Sequence, residues 1–439
     1  MANSIKNQQE ILDKLGITEL NEMQRRTHLA IHSSEEVVLL SPTGTGKTLA
    51  FLLPLFETIK PGQSEVQALI LVPSRELALQ IEQVSRNMGT GFKCTAIYGG
   101  RSGSKDKMDL KHRPAVLIGT PGRIADHMRR QTFPTQQIKI LVLDEFDKSL
   151  EIGFENEMKE ILSALPGLEK KILTSATERV AIPSFVKLQS PKRLDFIGED
   201  NPQLKVKRVV ASSKDKLETL VDLLGHLGKQ PGIIFCNFKD SIHFVSAYLN
   251  DKGISHGTFH GDMEQLDREQ SLVKFRNGTT RVLLATDLAA RGIDIPEMGY
   301  IIHYQLPAKE HEFIHRNGRT ARMKSEGTAF ILFSDQDRES DYVPKSEIED
   351  IKRGASVPSS TWATIHINGG RRDKISKGDI AGLFFKQGGL SKDQLGIIEL
   401  KQDCAYVAVS TNKAGHILSK LNNSRLKKKK VRMSNMDDW

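Results

Sequence analysis

Cysteine is scarce in this chain of 439 residues, and its three cysteines, Cys94, Cys236 and Cys404, are far apart. Because no Cys-x-x-Cys pair occurs, we expect neither disulfides nor a cysteine zinc site and interpret the cysteines as small buried residues. Apolar runs as long as a membrane span are missing too, and the N-terminus, Met1-Ala2-Asn3-Ser4, lacks the charged-then-apolar pattern of a signal peptide. We therefore expect a cytoplasmic protein without a membrane partner.

The positive charge of the chain is unevenly distributed. The length suits two or three domains, and a hydrophobic content of 38% is ordinary for globular proteins. The net charge is +9, and from Thr361 to Trp439 there are 15 lysines and arginines against 7 acidic residues. A basic appendage on a near-neutral body predicts a polyanionic partner bound by the tail. The alternative is a charged surface that only aids solubility.

A strand, a glycine-rich loop and a helix are predicted in succession around residues 41–48. The loop, Ser41-Pro42-Thr43-Gly44-Thr45-Gly46-Lys47-Thr48, follows the apolar run Val37–Leu40 and precedes an apolar segment. Its glycines allow successive N–H groups and the positive end of the helix to face one anion. Lys47 can then reach the β- and γ-phosphates of ATP, and Thr48 can bind Mg²⁺. A glycine-rich turn that binds nothing is the alternative.

Apolar runs alternate with helical stretches along most of the chain, which is typical of doubly wound α/β domains with mostly parallel sheets. We predict one such domain at residues 1–200 and a second at 204–340. In the first, strands are expected at Val37–Leu40, Ala68–Val72, Cys94–Tyr98, Ala115–Gly119, Ile138–Leu143 and Lys171–Ser175. In the second, they are expected at Gly232–Phe235, Val282–Ala285, Gly299–His303 and Gly327–Phe333.

Two segments are interpreted as connections between domains. Ser190–Asn201, rich in proline, lysine and acidic residues, is predicted to be a linker. Residues 341–360 are predicted to be a second linker, with a helix around Lys345–Lys352. A small α+β module at 361–434 is predicted to follow.

Two carboxylates end a predicted strand of the first domain, in Ile140-Leu141-Val142-Leu143-Asp144-Glu145. The carboxyl end of a strand is where an α/β sheet presents its ligand site. Asp144 can hold Mg²⁺, and Glu145 can polarise the attacking water. In the same domain as the loop at 41–48, this pair indicates ATP hydrolysis.

A dense arginine cluster, His315-Arg316-Asn317-Gly318-Arg319-Thr320-Ala321-Arg322, lies in the second domain. Arg319 and Arg322 are predicted to share a helix face, from which they can stabilise the charge that develops on the γ-phosphate. Arginine fingers of this kind raise the rate of hydrolysis by about 10³–10⁵-fold. Hydrolysis would then require both domains. The alternative is a basic helix paired with surface acids.

These motifs belong to a longer ordered set through which residues 18–333 resemble the DEAD-box ATP-dependent RNA helicases. In the first domain the set comprises Gln24, Ser41–Thr48, Pro73–Ala78, Gly99-Gly100, Thr120–Arg123, Asp144–Asp147 and Ser175–Thr177. In the second domain it comprises Ile234–Asn237, Gln265–Arg268, Ala285–Asp294 and His315–Arg322.

The resemblance implies two RecA-like domains, an ATP site between them, and RNA across the opposite edge of the cleft. The implied ATP-site residues are Gln24, Gly44, Thr45, Gly46, Lys47, Thr48, Asp144, Glu145, Gly292, Asp294, Arg319 and Arg322. The implied RNA contacts are Arg75, Gly100, Thr120, Arg123, Gln265, Arg268 and Thr286, and Ser175 and Thr177 are implied to couple the two sites. Such contacts reach mostly phosphates and 2′-hydroxyls, so RNA is preferred over DNA and sequence is hardly recognised.

The chain departs from the family pattern at several places near the ATP site, among them Asn317 and Ala321 in the arginine cluster, where both arginines are kept. Phe146 replaces the family's alanine, and we expect its ring to pack inward. Asn7 stands where an adenine-stacking aromatic residue is expected, and Leu20-Asn21 replaces Pro-Thr. We therefore expect weaker selectivity for adenine.

The tail resembles the RRM-like ribosomal-RNA-binding module of the DbpA-type DEAD-box proteins. The similarity lies in Thr364–Gly370, Lys377–Gly382 and Cys404–Val409. It implies RNA contacts by Arg371, Arg372 and Tyr406, while Lys374 and the run Lys427–Lys430 would bind phosphates.

The favoured hypothesis is a monomeric ATP-dependent RNA helicase that acts on structured RNA, namely ribosomal RNA or pre-ribosomal particles during large-subunit assembly. An ATP-gated RNA clamp that does not unwind RNA has the same motifs, and a strand-separation assay with and without hydrolysable nucleotide distinguishes the two. A DNA helicase is disfavoured by residues 144–147 and by the RRM-like tail.

Overall fold

The computed structural model describes residues 7–100, 103–177, 181–197, 204–211, 216–287, 298–320, 327–335, 337 and 340–436. These residues form two compact units, one before and one after residue 201. Within the described ranges, every helix is too short or too polar to cross a membrane.

A parallel seven-stranded sheet organises the described part of the first unit. Its strands are β1 (Glu36–Leu40), β2 (Ala68–Leu71), β3 (Cys94–Ile97), β4 (Val116–Gly119), β5 (Ile140–Leu143), β6 (Lys170–Ser175) and β7 (Lys192–Asp195). Its helices are α1 (Gln8–Leu15), α2 (Glu22–Ser33), α3 (Lys47–Thr58), α4 (Arg75–Met88), α5 (Gly103–Lys111), α6 (Pro121–Arg129), α7 (Phe146–Glu151) and α8 (Glu155–Ser163). The strand order is β3-β4-β2-β5-β6-β1-β7.

Both faces of this sheet are buried, as the apolar runs predict. Along β1, Val37 and Leu39 belong to one apolar core, while Val38 and Leu40 belong to the other. Successive side chains of a strand point to opposite faces, so a strand that is apolar throughout needs helices on both sides. The predicted doubly wound α/β class is confirmed, and the six predicted strands match observed strands to within two residues.

The second unit contains another parallel sheet, in the order β10-β11-β9-β12-β13-β8-β14 among the described strands. These strands are β8 (Leu204–Ala211), β9 (Gly232–Phe235), β10 (Gly257–Phe259), β11 (Val282–Ala285), β12 (Tyr300–His303), β13 (Gly327–Ser334) and β14 (Glu347–Ile348). The accompanying helices are α9 (Lys216–Leu227), α10 (Lys239–Asp251), α11 (Gln265–Arg276) and α12 (Glu310–Asn317).

The same unit ends in a small module built on an antiparallel sheet, which confirms the predicted α+β class. Its strands β15 (Trp362–Ile367), β16 (Leu395–Leu400), β17 (Ala405–Ser410) and β20 (Met433–Asn435) have the order β16-β17-β15-β20. Helices α13 (Lys377–Lys386) and α14 (Thr411–Leu421) contribute to its core, and β18 (Arg425–Leu426) and β19 (Lys429–Lys430) form a hairpin. The module also has short 3₁₀ turns at Arg371–Asp373 and Lys392–Gln394, and the first unit has one at Ser184–Val186.

The two predicted linkers contain strands that the sequence did not indicate. Strand β7 lies within Ser190–Asn201 and pairs with β1. The helix predicted around Lys345–Lys352 is wrong, because Glu347–Ile348 forms a strand that pairs with β8. Glu349 reinforces this pairing, since its N–H donates to the Arg208 carbonyl. In both places a short polar segment forms hydrogen bonds with a strand that would otherwise lie at the edge of the sheet. This pairing outweighs the low tendency of these segments to form strands by themselves.

Candidate functional site

The loop at 41–48 joins β1 to α3, as predicted. Gly44 and Gly46 have φ angles of +83° and +88°, which favour glycine. A Cβ at Gly46 would also lie 2.4 Å from Gln24 Nε2, so the Gln24 side chain would have to leave its position beside the loop. The loop thus ends at the N-terminus of α3. A glycine-rich loop that leads into a helix N-terminus is the usual geometry of an anion site, because backbone N–H groups there can point at the anion.

Lys47 lies in this loop with its amine turned towards the loop's own carbonyls. Lys47 Nζ donates to the Ser41 oxygen at 2.6 Å and to the Pro42 oxygen at 2.7 Å. The side chain is buried, and buried amines need such acceptors. Oxygens of a phosphate can take over this acceptor role.

Gln24 contacts the loop from α2. Asn21 and Gln24 form a reciprocal capping box, in which each side chain accepts the other's backbone N–H. Gln24 Nε2 then donates to the Gly46 oxygen at 3.3 Å, and Asn21 Nδ2 donates to the Thr45 oxygen at 3.0 Å. Sequence reasoning treated Asn21 only as a departure, although the Asn-x-x-Gln spacing is a capping-box signal.

Asn7 is the N-cap of α1. Its side-chain oxygen accepts the Glu10 N–H at 2.9 Å, and the Glu10 carboxylate accepts the Asn7 N–H at 3.2 Å. The residue that stands in place of an aromatic ring therefore has a helix-capping role.

The two candidate acids follow β5 in different environments. Asp144 is buried, and burial raises its pKa to about 6, with the Glu145 charge adding to the rise while Thr174 and Lys47 oppose it. The Thr174 hydroxyl donates to Asp144 Oδ1 and accepts the Glu145 N–H at 3.2 Å. Glu145 has a φ of +48° and is partly exposed. Thr174 was missed, because its contact depends on the pairing of β5 with β6.

Ser175 and Thr177, the predicted coupling residues, lie beside the acids. The Thr177 N–H donates to Ser175 Oγ at 3.0 Å, and Thr177 Oγ1 donates to Asp147 Oδ2 at 2.9 Å. The end of β6 is therefore bonded directly to α7, which follows the acids. The Phe146 ring is buried in the core beneath this turn, which confirms that it packs inward.

The donor set of the first unit fits Mg²⁺. This ion prefers oxygen ligands, generally one or two carboxylates together with substrate phosphates and water. Asp144 supplies a buried carboxylate, and Thr48 supplies a hydroxyl in the first turn of α3. The burial that raises the Asp144 pKa is a cost that a bound cation offsets.

The predicted RNA contacts of the first unit follow β2, β3 and β4. The guanidinium of Arg75 lies against Gly100, where an added Cβ would be 2.6 Å from Arg75 Nη1. Arg123, one turn after Thr120 in α6, is paired with the buried carboxylate of Asp106 at 2.7 Å. The structure thus gives Arg123 an intramolecular partner that the sequence did not reveal.

The order of the first sheet separates the two groups of candidate residues. Strands β3, β4 and β2 are neighbours and precede the RNA candidates, whereas β5, β6 and β1 are neighbours and precede the nucleotide candidates. Since all these strands are parallel, both groups lie at one edge of the sheet.

Arg316 is the centre of a buried hydrogen-bond network in the second unit. The sequence places it only within the arginine cluster and does not indicate this structural role. Its guanidinium is 1% exposed and bonds to Asp287, to Asn237 Oδ1 at 2.7 Å and to the Gln305 oxygen at 2.6 Å. Asn237, Asp287 and Gln305 follow β9, β11 and β12, so Arg316 of α12 links the carboxyl ends of three strands. Arg319 is also buried, just beyond α12.

The other second-unit predictions are only partly within the described residues. Gln265 and Arg268 lie in the first turn of α11, after β10. The Arg268 guanidinium lies over the ring of Phe259, with 4.8 Å between Arg268 Cζ and the ring centroid. Thr286 follows β11, the neighbour of β10. Gly292, Asp294 and Arg322 lie outside the described residues.

The predicted RNA-stacking residue Tyr406 is covered by the rest of the second unit. Its ring is 3% exposed and packs with Val273 of α11 and with Met436. On the neighbouring strand β16, Glu399 accepts two hydrogen bonds from Arg276, at 2.6 and 2.8 Å. Because this packing covers its ring, Tyr406 offers no accessible surface on which a base could stack.

Basic side chains of the module differ in their partners. Arg372 pairs with Asp403 at 2.7 Å, Lys427 with Asp379 at 3.0 Å and Lys429 with Asp373 at 2.8 Å. In contrast, Lys428 and Lys430 are exposed and have no acidic partner within the described ranges. Arg371 begins the 3₁₀ turn that also contains Arg372.

Three protein families match successive parts of the chain. Residues 21–182 match the DEAD/DEAH box helicase family, residues 215–324 the helicase conserved C-terminal domain, and residues 364–435 the DbpA RNA binding domain. The ATP-dependent RNA helicases DbpA of Bacillus subtilis and of Escherichia coli are each 31% identical over 96% of this chain, which covers 96% and 95% of their lengths.

Solved structures with a similar fold include S. cerevisiae Dbp5 bound to RNA and ADP BeF3. That protein is 29% identical, with a TM-score of 0.68 over 75% of this chain and 88% of its own. Mss116 bound to ssRNA and AMP-PNP is 26% identical, with a TM-score of 0.67 over 79% of this chain and 78% of its own.

Proposed function

The chain belongs to the DEAD-box family of ATP-dependent RNA helicases, and from this premise we propose that it remodels structured ribosomal RNA, as a cytoplasmic monomer, during assembly of the large ribosomal subunit. The observation that supports this substrate is the basic C-terminal module, which matches an RNA binding domain. A tethered module raises the effective concentration of the helicase core near one class of RNA. Crosslinking the protein in cells and sequencing the attached RNA tests the proposal, and a general messenger-RNA profile would contradict it.

In the proposed ATP site, the loop around Gly44 and Gly46 cradles the phosphates and Lys47 binds them. Thr48 and Asp144 hold Mg²⁺, which supplies charge neutralisation at the phosphates. Glu145 orients the attacking water, since it is the more exposed of the two acids and its backbone is fixed by Thr174. Arg319 and Arg322 from the second unit stabilise the transition state, and Gly292 and Asp294 complete the nucleotide contacts.

In the proposed RNA site, Arg75, Gly100, Thr120 and Arg123 of the first unit and Gln265, Arg268 and Thr286 of the second contact the backbone. Their positions after neighbouring strands support this assignment. In the module, a groove lined by His366, Asn422, Asn423 and Arg432 offers polar groups beside the hairpin that carries Lys428 and Lys430. Amide, imidazole and guanidinium groups suit the edges of unpaired bases, so the module is proposed to bind RNA at this groove and not on the covered ring of Tyr406.

We expect GTP and other nucleoside triphosphates to support hydrolysis at saturation, with weaker discrimination in favour of ATP than is usual in the family. The reason is that Asn7 caps α1 and offers no ring on which adenine could stack. Hydrolysis rates at saturating ATP and GTP measure this directly. Asn7→Phe should favour ATP, whereas Asn7→Asp, which keeps the cap, should leave the ratio unchanged. Strict ATP dependence of the wild type would show that another group recognises adenine.

Neutralising Lys428 and Lys430 together should weaken binding to ribosomal RNA and reduce its salt dependence. Each lost phosphate contact should lower the slope of log affinity against log salt by about 0.7–0.9. Binding of the full chain to a ribosomal RNA fragment, titrated at several salt concentrations, gives the slope. The control, Lys392→Gln with Lys420→Gln, removes the same charge from exposed positions elsewhere in the module. Equal slopes for the two double variants would contradict a specific role of the hairpin.

A further inference from the structure

Two histidines and a glutamate converge on the surface of the first unit, where α2 lies beside α3. His28 and His32 are four residues apart on α2, and their ring centroids are 4.7 Å apart. Glu57 is in the last turn of α3. Its Oε2 atom is 3.0 Å from His28 Nε2 and 2.7 Å from His32 Nε2. One ligand atom from each side chain thus lies within 4.8 Å of the other two.

We propose that these three side chains form a binding site for a divalent transition metal, with Zn²⁺ as the preferred ion. Two imidazole nitrogens and one carboxylate oxygen suit zinc, whereas Mg²⁺ and Ca²⁺ prefer oxygen ligands alone. With metal–ligand distances of about 2.0–2.1 Å in tetrahedral geometry, the ligand atoms lie roughly 3.3 Å apart. The two separations from Glu57 Oε2 to the histidine nitrogens, 3.0 and 2.7 Å, are close to this value, so these ligand atoms require only small side-chain adjustments.

The site is accessible, and a fourth ligand position can be filled by water. The side chains of His32 and Glu57 are 43% and 36% exposed, and that of His28 is 20% exposed. His28 and His32 are on the same face of α2, because residues four apart are neighbours on a helix. The same three groups can also be joined by hydrogen bonds alone, which is the alternative that the experiment must exclude.

A bound ion would link α2 to α3, two helices that a hydrogen bond already connects near their N-terminal ends. Gln24, one turn before His28 on α2, bonds to the Gly46 oxygen just before α3. The proposed site connects the same helices near their C-terminal ends, so metal binding should require the folded first unit. A ligand that binds only the folded state raises the unfolding temperature with its concentration.

Titration of the metal-free full chain with Zn²⁺ at about pH 7.5 tests the site, because metal binding is weakened when protons compete for the ligands at lower pH. We expect saturable binding of one ion at micromolar Zn²⁺, a raised unfolding temperature, and a tetrahedral Co²⁺ absorption spectrum when Co²⁺ is used instead. Loss of an outer-shell partner typically costs about 10–100-fold in metal affinity, so loss of a direct ligand in His32→Ala or Glu57→Gln should cost at least about tenfold.

The control variant is His416→Ala, which removes an exposed histidine from α14 and should leave Zn²⁺ affinity and the temperature shift unchanged. The unfolding temperatures of the metal-free variants report their folding independently of zinc. Absence of saturable binding at micromolar Zn²⁺ would overturn the proposal. Equal affinity of the wild type and the His28→Ala/His32→Ala double variant would overturn it too, because the ion would then be bound elsewhere.

Discussion

Glu145→Gln is expected to lower RNA-stimulated ATP hydrolysis by at least about 10²-fold, since general-base groups contribute about 10²–10⁴-fold, while ATP and RNA still bind. The amide has the size of the carboxylate but lacks the charge that orients and polarises water. The backbone contact of residue 145 to Thr174 is retained in the variant. Single-turnover hydrolysis at saturating RNA measures the chemical step, and a fluorescent ATP analogue measures binding.

Glu155→Gln is the matched control for this variant. Glu155 is an exposed acid in the first turn of α8, and its replacement makes the same chemical change outside the proposed site. The control should hydrolyse ATP at the wild-type rate. Turnover of Glu145→Gln close to that of the control would refute the assignment of Glu145 as the water-orienting group.

Arg319→Ala should reduce turnover by about 10³–10⁵-fold, the range found for arginine fingers. The arginine is proposed to act only on the charge that develops in the transition state, so the catalytic rate constant should fall much more than ATP affinity. Steady-state hydrolysis at saturating RNA provides both quantities. Arg319→Lys should recover only part of the rate, because lysine lacks the planar fork of donors.

An exposed arginine of the same unit provides the control. Arg353 lies on the surface between β14 and the module, and Arg353→Ala removes the same charge without approaching the proposed site. We expect it to keep wild-type turnover. A loss below about tenfold in Arg319→Ala would mean that this side chain does not reach the phosphate, because arginine fingers contribute far more.

The sequence alone determined the class of the two sheets and located the candidate residues of the first unit for a nucleotide site. Uniformly apolar runs such as Val37–Leu40 require burial on both faces, and this requirement is met by parallel strands beneath helices. The loop at 41–48 depends on Gly44 and Gly46, two positions apart, and the acids at 144–145 directly follow a strand. Such features are local, so their spacing along the chain is enough to locate them.

Only the tertiary structure decided which side chains meet across distant segments. Thr174 contacts Asp144 because β5 and β6 pair in one particular register, and Arg316 is buried because three strand ends converge on it. Tyr406 is buried because Val273 and Met436 pack against its ring. His28 and Glu57 are 29 positions apart, and their approach depends on how α2 packs on α3. Local propensity contains no information on these contacts, since they arise from packing and strand register.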